Sequence, residues 1–252
     1  MNGRIPERLI KKNVTKPLDL GTKVLITISS WENAAVKGYH KAQRDTFLRH
    51  VREYPNLDYK FFIGDGSPTG EDESILDQSF TQVAAAHGDR YKYIKPDTYK
   101  PEPDEIVLHV PDDYKHNAYK TKGSHRWAIE HGYTHIFQCT SDTFIDIHRL
   151  MRSGFENHDY IGNAEGIYAR GGNGYWLTSA TSSLILDERV TLWAEDWWVG
   201  TVLTKKGIKL HHDGRYAERP DVPNKENQVI SSHLGWPYFE VGMMYETYRL
   251  LH

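Results

Sequence analysis

Val24-Leu-Ile-Thr-Ile28 and Tyr59-Lys-Phe-Phe-Ile63 are the two stretches that decide the fold. Each is a short, mostly apolar run, and the second continues into the turn residues Gly64-Asp-Gly-Ser-Pro68. Both therefore predict buried strands. Residues 38–53 between them have a spacing compatible with a helix that ends before Pro55. This strand–helix–strand order predicts an α/β protein with a mostly parallel, Rossmann-like sheet flanked by helices.

The bulk composition is that of a folded domain. The chain has 252 residues, of which 38% are hydrophobic and 26% charged, values that exclude a disordered protein. This length suits one domain with a substantial core. We expect residues 1–20 to form an N-terminal arm and residues 21–252 to form a single domain. Within it, we expect two halves that face different ligands, one at about 21–145 and one at about 146–240.

Charge and cysteine content limit the possible partners. The formal net charge of −3 carries no basic surplus, so nucleic acid is possible as a partner but not favoured. Cys139 is the one cysteine, which excludes an intramolecular disulfide and fits a buried core residue. The N-terminus lacks the apolar segment of a signal peptide, and no stretch approaches the roughly 18 apolar residues of a membrane span. We expect a soluble protein of the cytoplasm, in a bacterium or an infected host cell.

Further elements follow from the same patterns. Residues 65–74 are rich in Gly, Pro and acids and predict a loop, and residues near 75–87 predict a helix. Tyr91–Ile94 is a possible strand. Tyr114–His131 predicts a helix that stops at Gly132, and residues 195–206 predict a second one that stops at Gly207.

The strand that starts at His135–Phe137 ends on Thr140-Ser141-Asp142. Ligands of open α/β sheets bind beyond the carboxyl ends of the strands, so Asp142 lies where a ligand site is expected. A carboxylate there suits a hard divalent metal that neutralises a leaving diphosphate. The alternative is a turn-forming aspartate, which is common at strand ends.

Glu195-Asp196 opens the predicted helix at 195–206. Acidic residues in a first helical turn interact favourably with the helix dipole, so simple capping is one interpretation. The other interpretation is a general base that takes a proton from an acceptor hydroxyl.

The second half of the chain is rich in glycine and aromatic residues, as in Tyr168-Ala-Arg-Gly-Gly-Asn-Gly-Tyr-Trp176. Adjacent glycines permit close approach to a ligand, and aromatic rings can stack on sugars. The same run is also compatible with a tight loop beside core aromatics. The histidines His211, His212 and His233 follow, but without the spacing of a zinc hydrolase.

Five segments occur in an order that resembles the β-1,3-galactosyltransferase/Fringe family of glycosyltransferases, from about residue 24 to residue 235. They are Arg44-Asp-Thr-Phe47; Asp112-Asp-Tyr114 with Asn117, Lys120-Thr121 and Trp127-Ala128; Asp142-Thr-Phe-Ile145; Tyr168-Ala-Arg-Gly-Gly172 with Tyr175-Trp-Leu-Thr178; and Glu195-Asp-Trp-Trp-Val-Gly200 with Gly207-Ile208. Ser231-Ser-His-Leu234 is similar to a His-containing segment near the family's C-terminus. Thr140 and Ser141 stand where the family's acidic triplet has its first two aspartates. The resemblance implies a GT-A fold in a divergent, soluble viral or bacterial member.

The resemblance also implies an inverting transfer of a hexose from a nucleotide sugar, with a UDP-sugar as the expected donor, to a hydroxyl acceptor such as a glycan. Asp196 would be the catalytic base, and Asp142 and His233 would bind Mn²⁺ or Mg²⁺, with His211 or His212 as fallback ligands. The expected donor-binding residues are Arg44, Lys120, Thr140, Ser141, Gly171 and Gly172. The expected acceptor-side residues are Tyr168, Trp176, Glu195 and Trp197.

Two alternatives remain open at this stage. The basic residues of the first 20 positions, Arg4, Arg8, Lys11, Lys12 and Lys16, favour a transferase that acts on modified bases of phage or viral DNA. The loss of two acids from the triplet favours a protein of another class, an inactive transferase relative that only binds a glycan or a nucleotide sugar.

Overall fold

The computed structural model describes residues 21–87, 99–235 and 239–252, with the backbone alone for residues 82–87. The predicted arm at 1–20 and the possible strand at Tyr91–Ile94 lie outside the described residues. The strands are β1 Val24–Ser29, β2 Leu57–Gly64, β3 Glu105–Leu108, β4 His135–Thr140, β5 Thr143–Ile145, β6 Tyr160–Gly162, β7 Ala164–Glu165, β8 Tyr168–Ala169, β9 Tyr175–Thr178, β10 His211–His212, β11 Tyr216–Glu218 and β12 Ser231–His233. The α-helices are α1 Glu32–Val36, α2 Tyr39–Asp45, α3 Ser74–His87, α4 Asn117–Glu130, α5 Ile147–Leu150, α6 Ser179–Leu186, α7 Glu195–Lys205 and α8 Val241–Leu251.

Seven of the described strands form one sheet in the order β10-β6-β9-β4-β1-β2-β3. The four strands from β4 to β3 are parallel, whereas β9 runs antiparallel to both β4 and β6. The predicted α/β architecture with a mostly parallel sheet is therefore confirmed. A second sheet of order β11-β12-β5 and a β7-β8 pair complete the described strands.

Both faces of strand β1 are buried. Successive residues of β1 belong to different core clusters: Ile26 and Ile28 pack with Phe137, whereas Leu25 packs with Phe62. Strands that are covered on both faces are apolar at consecutive positions, which is why β1 could be predicted from the sequence. Among the described residues, none of the helices combines the length and the apolar character that a bilayer crossing requires.

The helix predicted over residues 38–53 is interrupted. Helix α2 ends at Asp45, Thr46 leaves the helical region at φ −108° and ψ −109°, and Phe47–Glu53 continues as a 3₁₀-helix. The Thr46 hydroxyl donates to the Ala42 carbonyl at 2.6 Å, a side-chain bond that competes with regular helix. The predicted helices at 75–87, 114–131 and 195–206 are present as α3, α4 and α7, with α4 starting three residues later than expected.

Candidate active site

A cavity of about 540 Å³ lies beyond the carboxyl ends of β1 and β4, as expected for a ligand site of such a sheet. Its wall combines the ends of these strands with residues from α4, the start of α7 and the segment after β12. It is lined by Ser29, Trp31, Lys37, Tyr39, Tyr114, Asn117, Lys120, Thr140, Asp142, Tyr168, Gly171, Gly172, Trp193, Ala194, Glu195, Asp196, Trp197, His233, Gly235 and Phe239.

Asp142 and His233 meet on one side of this cavity. The Nε2 atom of His233 lies 3.2 Å from Oδ2 of Asp142, and each side chain is about one quarter exposed, at 24% and 23%. The Thr140 hydroxyl donates to Oδ1 of Asp142 at 2.6 Å. Burial alone would raise the pKa of Asp142, but the charge of His233 and the hydrogen bonds from His233 and Thr140 lower it below its usual value. Asp142 is therefore an anionic oxygen donor beside an imidazole.

Strand pairing brings these two residues together across 91 positions of sequence. Strand β12 pairs antiparallel with β5, so that His233 is opposite Thr143, the residue after Asp142. The Leu234 amide also donates to the Asp142 carbonyl at 3.0 Å. Gly235 follows, and a Cβ atom added there would lie 1.8 Å from Oδ2 of Asp142. The backbone after β12 therefore closes directly over the carboxylate.

Two adjacent glycines connect the Asp142–His233 pair to the start of α7. A Cβ added at Gly172 would lie 2.6 Å from the His233 ring, and one added at Gly171 would lie 2.1 Å from Oε1 of Glu195. Neither position has room for a side chain, so the glycines permit close approach on both sides. Both glycines line the cavity, and their role in donor binding stays a prediction.

Asp196 is held by backbone donors from two segments. The Gly171 amide donates to Oδ2 at 2.9 Å, and the Trp197 amide donates to Oδ1 at 2.8 Å. Burial raises the pKa of Asp196 above its usual value, although the two amide bonds oppose that rise. A carboxylate with a raised pKa is a stronger proton acceptor, and this one faces the cavity.

Glu195 borders the same cavity but is buried, with 4% exposure. Its Oε2 atom accepts a hydrogen bond from the Tyr175 hydroxyl at 2.9 Å. Burial, and then the charge of Asp196, raise the pKa of Glu195 well above its usual value. Because this geometry favours a neutral carboxyl group, Glu195 supports the start of α7 rather than offering a charge to an acceptor.

Lys120 lines the cavity from α4 and is itself buried. Its ammonium donates to the Ser30 carbonyl at 2.7 Å and lies 3.5 Å from Oδ1 of Asp112. Burial lowers the pKa of Lys120, and the charges of Asp112 and Asp113 oppose that effect. The lysine thus fixes the segment that follows β1, at the edge of the predicted donor side.

Aromatic side chains also line the cavity. Tyr168 and Trp197 of the predicted acceptor side both line the cavity, and Trp197 is 47% exposed. Trp31 and Trp193 line it as well and were missed by the sequence reasoning. Their positions, directly after β1 and just before α7, are the signal that could have identified them. Flat aromatic surfaces of this kind suit sugar rings or a nucleobase.

Two of the predicted site residues, Trp176 and Ser141, are core residues in the structure. Trp176 is 1% exposed, stacks on Phe155 with ring centroids 3.9 Å apart and donates to the Tyr216 hydroxyl at 3.0 Å. It is a core residue rather than an acceptor-side residue, because neighbouring strand positions point to opposite faces of a sheet. Ser141 is also buried, and neither side chain lines the cavity.

Arg44 lies away from the cavity wall for a different reason. Its guanidinium bonds both oxygens of Asp104 at 2.9 and 2.6 Å and Oε1 of Glu105 at 2.7 Å. Asp104 lies just before β3 and Glu105 is its first residue. Arg44 therefore links α2 to the β3 edge of the sheet. The fallback ligands His211 and His212 form the edge strand β10, and neither reaches the cavity wall.

Comparison with known proteins adds little to this geometry. No family model matches the chain, and no curated protein matches its sequence. Among solved structures, a cytidylyltransferase from Leptospira borgpetersenii is similar at 15% identity and a TM-score of 0.41, over 77% of each chain. A protein assigned as a nucleotide-diphospho-sugar transferase from Desulfovibrio desulfuricans is similar at 10% identity and a TM-score of 0.38, over 76% of this chain and 80% of that one. Likeness at this level identifies no family.

Proposed function

We propose that the protein is an inverting glycosyltransferase of GT-A type, which transfers a hexose from a nucleotide sugar, most simply a UDP-sugar, to a hydroxyl acceptor such as a glycan. The proposal rests on one observation: the Asp142–His233 pair and the Asp196 carboxylate contact two adjacent glycines and line the same cavity. Gly172 abuts the Asp142–His233 pair, and Gly171 binds Asp196. A leaving diphosphate and an incoming hydroxyl need two such groups within one cavity.

Asp142 and His233 fit a divalent metal by their donor chemistry. A carboxylate oxygen and an imidazole nitrogen 3.2 Å apart suit Mn²⁺, which accepts both donor types, better than Mg²⁺, which prefers oxygen. Two protein ligands would leave the remaining positions to phosphate oxygens and water. When bound, such an ion supplies Lewis-acid stabilisation of the leaving diphosphate. Thr140 orients Asp142 for this role through its hydroxyl.

Asp196 is the proposed base of a single displacement. Its carboxylate accepts the proton of the acceptor hydroxyl as the hydroxyl oxygen forms a bond to the anomeric carbon of the sugar. The bond between that carbon and the diphosphate oxygen breaks at the same time, and the diphosphate leaves with the electron pair. The two backbone amides on Asp196 hold the carboxylate in one orientation, which a general base requires.

The aromatic wall supports a carbohydrate or nucleotide ligand. Trp31, Tyr39 and Phe239 lie in the same cavity as Tyr168 and Trp197. Apolar faces next to two polar groups are the usual make-up of a small-molecule site. We assign Lys120, Thr140, Gly171 and Gly172 to the donor side, and Tyr168 and Trp197 to the acceptor side.

The test is release of nucleoside diphosphate from a panel of nucleotide sugars with Mn²⁺, with and without candidate acceptors. We expect Asp196→Asn to abolish turnover while a nucleotide sugar still raises the Tm, because the variant keeps the binding groups. Asp142→Ala should remove the dependence on Mn²⁺. Asp187→Asn is the matched control, since Asp187 is exposed at the end of α6.

Different results would point to the other functions. A Tm shift with nucleotide sugars but no turnover in the wild-type protein would indicate a binding protein that has lost activity. Salt-sensitive retention on DNA, with turnover on hydroxymethylated DNA alone, would indicate a transferase acting on modified bases. Turnover unchanged by Asp196→Asn would reject Asp196 as the base.

A further inference from the structure

A second group of metal-ligand side chains lies outside the cavity just described. His50 and Glu53 belong to the 3₁₀-helix Phe47–Glu53, and His148 belongs to α5. One donor atom from each of the three residues lies within 4.8 Å of the other two. Residues three apart in a 3₁₀-helix eclipse each other, which places His50 and Glu53 on the same face.

The donor atoms that converge can be identified. Nδ1 of His50 lies 2.7 Å from Oε1 of Glu53, and Nε2 of His148 lies 3.8 Å from Oε2 of the same carboxylate. Zn²⁺ binds imidazole nitrogen at about 2.0–2.1 Å and carboxylate oxygen at about 2.0–2.2 Å, and donor atoms this close together could reach one ion after small side-chain adjustments. Glu53 is half exposed, with 48% of its side chain accessible, and can adjust freely.

Each histidine also has its other ring nitrogen held by a tyrosine hydroxyl. Nε2 of His50 lies 3.0 Å from the Tyr248 hydroxyl, and Nδ1 of His148 lies 3.0 Å from the Tyr54 hydroxyl. Metal-binding histidines have their second nitrogen bonded in this way, which fixes the tautomer and the ring orientation. A simple ion pair between His50 and Glu53 would require neither His148 nor the two tyrosines.

We propose that His50, Glu53 and His148 bind a divalent transition-metal ion of the zinc class. Two imidazoles and one carboxylate are the donor set that Zn²⁺ accepts in sites with three protein ligands, whereas Mg²⁺ and Ca²⁺ prefer oxygen donors throughout. His148 also borders a cavity of about 430 Å³ whose wall includes Arg149, Arg152 and Arg215. An open fourth position on the ion would therefore be accessible to water or to a small anion.

The matched comparison within the chain is His109 with Asp65. Their Nδ1 and Oδ2 atoms are 2.6 Å apart, as close as His50 and Glu53, but no second histidine joins them among the described residues. If any surface histidine–carboxylate pair bound the ion, His109→Ala would weaken binding as much as His50→Ala.

The experiment is a Zn²⁺ titration of the chelator-treated full chain by isothermal titration calorimetry. We expect a site whose affinity falls by about 100-fold or more in the double variant His50→Ala/His148→Ala, and which remains in Asp142→Ala and His109→Ala. Retention in Asp142→Ala separates this site from the proposed catalytic one. Absence of Zn²⁺ binding to the Asp142→Ala chain, or binding there that adding His50→Ala/His148→Ala leaves intact, would overturn the proposal.

A milder pair of variants covers the case in which the double variant fails to fold. Glu53→Gln preserves size at an exposed position, and Tyr54→Phe removes only the hydroxyl that orients His148. We expect each to weaken Zn²⁺ binding by about 10- to 100-fold, with circular dichroism spectra like that of the wild type. Unchanged affinity in both folded variants would reject the assigned ligands.

Discussion

The amide of Gly171 donates to Oδ2 of Asp196 at 2.9 Å, so the glycine loop and the first turn of α7 hold the proposed base between them. On its other side Gly171 abuts the Glu195 carboxyl group. The position of the proposed base therefore depends on a residue that has no side chain.

Gly171→Ala should impair catalysis more than folding. The new Cβ would lie 2.1 Å from Oε1 of Glu195 and 3.2 Å from Cβ of Asp196, so the Glu195 side chain or the loop beside Asp196 must shift. Misplacement of a catalytic group by about 1 Å can cost about 100-fold in rate, and overpacking typically costs about 1–3 kcal/mol of stability. Nucleoside diphosphate release and urea unfolding measure the two effects. Gly242→Ala, which meets nothing within 4 Å, is the control and should match the wild type in turnover.

Glu195 should make stability depend on pH in a defined direction. Its pKa is raised in the folded protein, so its contribution to stability is complete below the unfolded value of about 4.3. That contribution is lost as the pH rises from there through the folded pKa. We therefore expect Glu195→Gln to raise Tm relative to the wild type at pH 7 and to have little effect at pH 4. Thermal unfolding at both values tests this.

The exposed Glu246→Gln on α8 is the comparison for Glu195→Gln. It should leave Tm nearly unchanged at both pH values, because a solvated carboxylate has no burial cost to relieve. An equal Tm change for Glu195→Gln at pH 4 and pH 7 would show that packing, and not ionisation, is responsible.

Trp176 and Trp197 should separate stability from acceptor binding. Trp176→Ala empties a core site, and large aromatic truncations of this kind cost about 3–5 kcal/mol. Trp197→Ala removes a side chain that is nearly half exposed on the cavity wall, so stability should change little while the acceptor KM rises. Denaturant unfolding and acceptor saturation curves provide the two measurements. A stable Trp176→Ala protein with a raised acceptor KM would restore the acceptor-side assignment.

Arg44→Met should lower stability without affecting the donor. Loss of the guanidinium leaves Asp104 without its two bonds and Glu105 with one fewer, at a cost on the order of 2 kcal/mol, since Arg44 is partly exposed. The Kd for a nucleotide sugar should stay within about twofold of the wild-type value, because the residue lies away from the cavity wall. A rise of the Kd well beyond twofold would contradict a purely structural role for Arg44.

The parallel core could be predicted from sequence because a strand that is buried on both faces is apolar at consecutive positions. Val24–Ile28 and Tyr59–Ile63 are such runs, and both are strands. Strand β3 escaped prediction because Glu105-Ile-Val-Leu108 opens on a buried acid, whose cost is offset by Arg44 and His40. Arg44 was assigned to the donor side by the family resemblance, whereas its partners Asp104 and Glu105 lie just before β3 and at its start.

The site could be predicted where one local pattern positions a residue. Asp142 follows from the end of β4, and Asp196 from the start of α7. The approach of His233 to Asp142 depends on a pairing between β5 and β12 that no local pattern encodes, and the motif order alone indicated it. Trp176 failed because a strand alternates faces: its neighbour Tyr175 turns towards Glu195, whereas Trp176 turns towards Phe155.

The pairing of β12 with β5 couples ligand binding at Asp142 to the local stability of β12. Ser231, Ser232 and His233 each pair with a residue of β5, and of the three His233 is the one whose side chain contacts Asp142, at 3.2 Å. A ligand that bridges Asp142 and His233 would hold together two segments that are about ninety residues apart in sequence. Binding of such a ligand should slow amide hydrogen exchange in β12. Exchange in β12 would therefore report whether the site at Asp142 is occupied.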